Sequence, residues 1–113
     1  MTTPRDLALL AAEVMDAKRA DDVIVLEVAR HTPVTDYFVI GSAQSTVQIR
    51  AVVEAVEEEL TAQGARPLNR EGDPQARWVL LDFGAVVVHV FGPEARRYYT
   101  LERLWADAPI LER

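Results

Sequence analysis

Cysteine is absent from the 113 residues. That removes disulfides, thiol nucleophiles and Cys-ligated zinc or iron–sulfur sites, and it suits a reducing compartment. Histidine is nearly absent: His31 and His89 are the only two, and neither sits in a spaced metal motif such as H-x-x-x-H. No apolar run approaches the roughly 20 residues that span a bilayer. Met1-Thr2-Thr3-Pro4 lacks the basic start of a signal peptide, and acidic residues interrupt the apolar pattern behind it. G-x-S-x-G, the P-loop and G-x-G-x-x-G are also missing. These absences predict a soluble, cytoplasmic chain with no membrane partner, no metal and no cofactor.

Positive charge is in deficit, and unevenly so. The formal charge is −6. Residues 1–63 hold five basic against eleven acidic side chains, whereas residues 64–113 hold seven of each. Binding to bare nucleic acid rests on cationic neutralisation of phosphates, so the balance favours a protein partner. Acidic residues of this kind also serve simply as solubilising surface.

What is present reads as one α/β domain over residues 1–113, long enough to build a core without staples. Thr3-Pro4-Arg5-Asp6 is a helix start, with Thr3 to cap, Pro4 at the first turn and Asp6 at the positive end of the dipole. Leu7, Leu10, Ala11, Val14 and Lys18 follow with helical spacing. Asp21-Asp22 breaks that pattern, and a buried strand runs from Val23 through Val28. After a loop at His31 to Thr35, Tyr37-Phe38-Val39-Ile40 is a second strand closed by Gly41-Ser42. Ser45-Thr46-Val47-Gln48 has capping-box spacing, ahead of an apolar stripe of Ile49, Val52, Val53, Val56 and Leu60 that Gly64 ends. Pro67 to Arg70 suggests a short edge strand, and Glu71-Gly72-Asp73-Pro74 a turn. Arg77 to Phe91 is a hairpin pivoting at Phe83-Gly84-Ala85. Gly92-Pro93-Glu94 opens a last helix with Tyr98, Leu101, Leu104 and Trp105 on its apolar side. The expected architecture is a mixed β-sheet of four or five strands flanked by helices on at least one face.

The hairpin is the informative element. With a two-residue turn at either Phe83-Gly84 or Gly84-Ala85, side chains sort the same way because they alternate with period two. Val79, Leu81, Phe83, Val86, Val88 and Val90 form a wholly apolar face that belongs against helices. Trp78, Leu80, Asp82, Ala85, Val87, His89 and Phe91 form a mixed face. An aromatic anchor, aliphatic area and a few orienting polar groups are what a specific protein contact uses. The other reading of the same face is a second core, with Asp82 serving the turn and His89 hydrogen-bonded internally.

Gly41-Ser42, after a strand and before a helix, is also how a nucleotidyltransferase site begins. That chemistry needs paired carboxylates to hold Mg²⁺, as a D-x-D or D-x-E on a following strand. Trp78-Val79-Leu80-Leu81-Asp82-Phe83-Gly84 offers one carboxylate, with Asp36 a distant second. Catalysis is therefore not expected.

Nearly the whole chain resembles the ribosomal silencing factors, the RsfS/Iojap group. The resemblance is carried by Thr35 to Ile40, Ser42 to Gln48, Glu71-Gly72, Trp78 to Gly84, Val86 to Phe91 and Arg97 to Trp105, in that order. It implies a nucleotidyltransferase-like fold without the catalytic carboxylates. It implies binding to the large ribosomal subunit through that subunit's protein fourteen, blocking the small subunit and silencing translation when nutrients are short. Homodimers are common in the family. The contact surface implied is the hairpin, here Trp78, Leu80, Asp82, Gly84 and His89, and the position where the family usually carries Asp is Ala85. That exchange removes a charge from the surface. A second departure is Gln48, where the family usually carries His. Contact with ribosomal RNA is expected to be peripheral at most, through Arg96 and Arg97. Two other readings compete: a divergent nucleotidyltransferase-like enzyme, and a homodimeric scaffold module without ribosomal contact.

Overall fold

The computed structural model describes residues 2–94 and 109–111. Helix α1 (Pro4–Ala17) begins at a reciprocal cap. The Thr3 hydroxyl accepts from the Asp6 N–H at 3.1 Å, and the Asp6 carboxylate accepts from the Thr3 N–H at 3.2 Å. Strand β1 (Asp21–Glu27) and strand β2 (Tyr37–Ser42) follow, then helix α2 (Thr46–Ala62), strand β3 (Asn69–Asp73), a 3₁₀ turn at Pro74–Ala76, strand β4 (Trp78–Asp82) and strand β5 (Val86–Phe91). The sheet order is β1-β2-β5-β4-β3. The β2–β5 pair is parallel, and the other neighbours are antiparallel. The expectation of a mixed sheet with helices on at least one face is met.

Both described helices pack on one face. α1 lies against β1 and β2, and α2 against β4 and β5. Ala8, Ala11, Ala12 and Met15 from α1 and Ile49, Val52, Val53, Val56 and Leu60 from α2 join Val79, Leu81, Phe83, Val86, Val88 and Val90 in one core. These are the six hairpin residues that alternation assigned to the helix side. Burying each such aliphatic side chain is worth about 1.5–3 kcal/mol, and helix and sheet hold each other through it. Gly41 is part of this fit. A Cβ there would collide with the terminal methyl of Met15, so the missing side chain lets α1 settle onto β2.

Several local expectations need correction. Gly41 and Ser42 continue β2 and do not close it, since they pair with Val90 and Phe91. Ser45 caps α2, its hydroxyl accepting from the Gln48 N–H at 3.1 Å. The Gln48 side chain, however, accepts from the Gln44 N–H at 2.7 Å and donates to the Arg19 carbonyl at 3.0 Å. It ties the α1–β1 connection to the start of α2, and the capping box is only half made. Glu71 to Asp73 belong to β3 and are not a turn, because pairing with Leu80, Val79 and Trp78 holds them in the sheet. The reversal falls at Pro74–Ala76. Beyond Glu94, the expected last helix, with Arg96, Arg97 and Trp105, lies outside the described residues. Residues 109–111 run beside β1, bridged at Leu26 and Ile110.

Leu81 is fully buried in the helix-side core. Leu81→Ala is expected to cost about 2–5 kcal/mol through the cavity it leaves. Val47→Ala, at a position 77% exposed, should change stability by less than about 0.5 kcal/mol. Denaturant melts of the two variants check the assignment.

Candidate functional site: the second face of the hairpin

The hairpin closes with Phe83 opposite Val86, the Phe83 N–H donating to the Val86 carbonyl at 2.9 Å. The turn residues are therefore Gly84 and Ala85, one of the two registers that alternation allowed. Gly84 takes φ +86, the left-handed conformation that a hairpin turn of this length asks of its first residue. Asp82 holds it there, its Oδ1 accepting from the Gly84 N–H at 2.8 Å.

Cross-strand pairing then lays the second face out in rows. Ile24, Ile40, His89, Leu80 and Glu71 share one; Leu26, Phe38, Val87, Asp82 and Asn69 share the next; Ser42, Phe91, Trp78 and Asp73 a third. Among the described residues no helix lies on this face. Exposure is graded across it. Leu26, Phe38, Ile40, Val87, His89 and Phe91 are buried, Trp78, Leu80 and Asp82 are half-buried, and Asn69, Glu71 and Asp73 on the β3 edge are exposed. Gly84 and Ala85 are half-buried at the tip.

The six residues expected at the site thus fall into two groups. Trp78, Leu80, Asp82, Gly84 and Ala85 sit together on the open side of the face. His89 lies beneath that surface, 6% exposed. It is packed between Phe91, stacked at 5.6 Å between ring centroids, and Phe38, edge-on at 5.5 Å. Its Nδ1 lies 3.4 Å from Trp78 Nε1. An indole nitrogen can only donate, so Nδ1 is the acceptor and the imidazole carries its proton on Nε2. Burial pushes the imidazole pKa down to about 4, which keeps it neutral and able to accept at pH 7. Asp82 and His89 both have the internal roles of the second-core reading, while Trp78 and Leu80 retain the partial exposure a contact surface needs.

The residues of a would-be transferase site do not converge. Ser42 pairs with Phe91 at one end of the sheet, and Asp82 pairs with Val87 toward the other. Four residues of strand separate these levels, about 13 Å. Asp36 does reach the Asp82 end, its N–H donating to the Ala85 carbonyl at 3.0 Å. Among the described residues no group of three His, Asp or Glu could hold a metal ion. A cleft of about 270 Å³ lined by Glu27, Arg30, His31 and Pro109 lies by β1 and takes no part in the hairpin face.

Sequence reasoning missed Leu68. It is 68% exposed, and its Cδ1 stands 3.3 Å from where a Gly84 Cβ would be, so it extends the apolar surface at the hairpin tip. Its only sequence signal was an apolar residue after Pro67 in a segment otherwise reading as edge.

Comparison with known proteins gives a consistent picture. The family described as "Ribosomal silencing factor during starvation" matches residues 1–113. A ribosomal silencing factor of Bacillus subtilis is 39% identical over 108 residues, covering 96% of this chain and 92% of that protein. A mouse protein named "Mitochondrial assembly of ribosomal large subunit protein 1" is 34% identical over 103 residues, covering 88% of this chain and 45% of its own length. The crystal structure of a Chromobacterium violaceum protein superposes with a TM-score of 0.88 at 31% identity, covering 92% of this chain and 87% of that one.

The buried imidazole makes stability depend on pH. Its pKa is lowered to about 4 in the folded chain from the ordinary 6.5, so between those values the unfolded chain binds the extra proton and the folded chain does not. The contribution is full above pH 6.5 and is lost as pH falls toward about 4, amounting to about 3 kcal/mol across the window. Melts of the unaltered protein and of His89→Phe from pH 7 to 4 should show this part of the acid destabilisation only where His89 is present.

Proposed function

The chain belongs to the ribosomal silencing factor family, and on that footing we propose that it works by docking, not by catalysis. It binds the large ribosomal subunit through that subunit's protein fourteen, keeps the small subunit from joining, and represses translation when nutrients are limiting. The observation that carries this reading is the open side of the hairpin face. Trp78, Leu80, Asp82, Gly84 and Ala85 form a contiguous, half-buried surface around one large aromatic. An aromatic with partial exposure, set among aliphatic area and a sparse polar rim, is the composition of a protein contact. The relatives' names support a ribosomal partner, and the mouse protein's name refers to the large subunit.

Each residue has a part in this reading. Trp78 and Leu80 supply the apolar contact. Asp82 acts through the turn, holding Gly84 so that the tip presents backbone and the small Ala85 methyl. His89 supports Trp78 from below. Ala85 leaves the tip without a charge, so shape and apolar area secure the contact more than long-range steering does, and affinity falls only modestly with salt.

In cosedimentation, the protein is expected to travel with isolated large subunits and, at saturation, to lower the yield of joined ribosomes after small subunits are added. Trp78→Ala should weaken this binding at least thirtyfold, about 2 kcal/mol or more, while lowering the melting temperature less than Leu81→Ala does. Joined ribosomes forming equally well at saturating protein would rule the reading out.

A further inference from the structure

We infer that Gly72 is a positioning residue for Trp78, working with His89 to hold the indole from two sides; the inference rests on the docking role proposed for Trp78. Strand β4 lies between β5 and β3, so residues of both neighbours flank Trp78. On the β5 side, His89 Nδ1 accepts from the indole N–H at 3.4 Å and is itself fixed between Phe38 and Phe91. On the β3 side, Gly72 pairs with Val79 and takes φ +77. A Cβ at Gly72 would lie 2.9 Å from Trp78 Cε3 and 3.1 Å from the Trp78 carbonyl carbon, and closer still to its carbonyl oxygen. Contacts below 3.0 Å require the neighbour to move. Backbone and ring of Trp78 both occupy the space that a side chain at 72 would take.

Two separate demands therefore meet at Gly72. One is the left-handed backbone, which glycine meets without strain. The other is the lack of a side chain where the ring and carbonyl of Trp78 lie, which the backbone conformation alone does not ask for. Neither Gly72 nor His89 has to touch the partner. Their effect is to give the indole one orientation before binding, so that less side-chain freedom is lost on docking.

Gly64 supplies the control. It takes φ +88 with nothing within 4 Å of where its Cβ would be, so Gly64→Ala carries the same kind of backbone strain and leaves Trp78 alone. Gly72→Ala is expected to move the Trp78 indole N–H resonance, assigned by its loss in Trp78→Phe, and to weaken binding to isolated large subunits about tenfold or more. Gly64→Ala should leave both unchanged. In a Trp78→Ala background, Gly72→Ala should add little further loss of binding. His89→Phe keeps a ring between Phe38 and Phe91 but removes the acceptor, so it should move the same resonance. His89→Asn, which keeps an acceptor near the Nδ1 position, should restore it in part. A Gly72→Ala protein with wild-type resonance and affinity overturns the inference. Should that variant not fold, a His89→Phe protein with unmoved resonance and wild-type affinity overturns it equally. If the unaltered protein fails to bind large subunits, the docking reading falls, and the resonance still decides whether Gly72 positions the ring.

Discussion

Phe83 and Val86 face each other across Gly84 and Ala85, the Phe83 N–H donating to the Val86 carbonyl, and this closure sets the parity of β4 and β5. Side chains on a strand alternate, so parity decides which residues meet the helices and which meet the other side of the sheet. With this turn, Val79, Leu81, Val86, Val88 and Val90 lie under α1 and α2 in one core. A three-residue turn, with Asp82 opposite Val86, would instead set Val87 and His89 on the face of Val79 and Leu81 and turn Val86, Val88 and Val90 away from the helices. That exchange would place an imidazole among the helix-side aliphatics and is disfavoured. Gly84 supplies the left-handed turn, and Asp82 fixes it by accepting the Gly84 N–H. The Asp82 carboxylate, which looks chemical in the sequence, is part of what holds the register.

The position of each strand in the sheet then explains the gradient across the second face. β5 is the middle strand and all six of its residues are buried, His89 included. An imidazole in that position must be neutral and hydrogen-bonded, and its depressed pKa and its contact with the Trp78 indole meet both needs. β3 is an edge, and all five of its residues are exposed. β4 stands between them, so its outward residues Trp78, Leu80 and Asp82 are half-buried. A large aromatic that is partly covered, bonded from below and open at its rim is a consequence of where β4 sits. The docking proposed for Trp78 therefore asks for no separate loop to present it.

The sorting of the hairpin into two faces was legible in the sequence because period-two alternation needs only local residues. The α1 cap, the apolar stripe of α2 and the strands at Val23 and Tyr37 were legible for the same reason. What was not legible depends on neighbours far along the chain. Glu71-Gly72-Asp73 has turn composition, yet pairing with β4 draws it into a strand. Gly41-Ser42 would ordinarily end a strand, but the parallel partner β5 continues past it to Phe91. Gln48 has capping-box spacing, but the carbonyl of Arg19, 29 residues away, competes for its side chain. The burial of His89 was one of the two readings the face allowed, and alternation could not choose between them, since it fixes a face without saying how deeply that face lies.

Charge placement reconciles an acidic chain with the ribosomal partner proposed for it. Glu54, Glu58 and Glu59 are exposed on α2, and Glu57 is paired with Arg70 at 3.2 Å. α2 packs on the helix side of the sheet, so its exposed carboxylates point away from the hairpin face. A helix is about 10 Å thick, more than the Debye length of about 8 Å at physiological ionic strength. Most of the field of those carboxylates is screened before it reaches the far side of the sheet. There the charge belongs to local groups: Asp82, engaged in its turn, and Glu71 and Asp73 along the β3 rim. In the proposed docking, an RNA-rich particle would repel the α2 side and leave the hairpin face as the side that can approach. In the docking proposed for this chain, the net charge of −6 therefore acts on orientation and leaves the contact itself to Trp78, Leu80 and the hairpin tip.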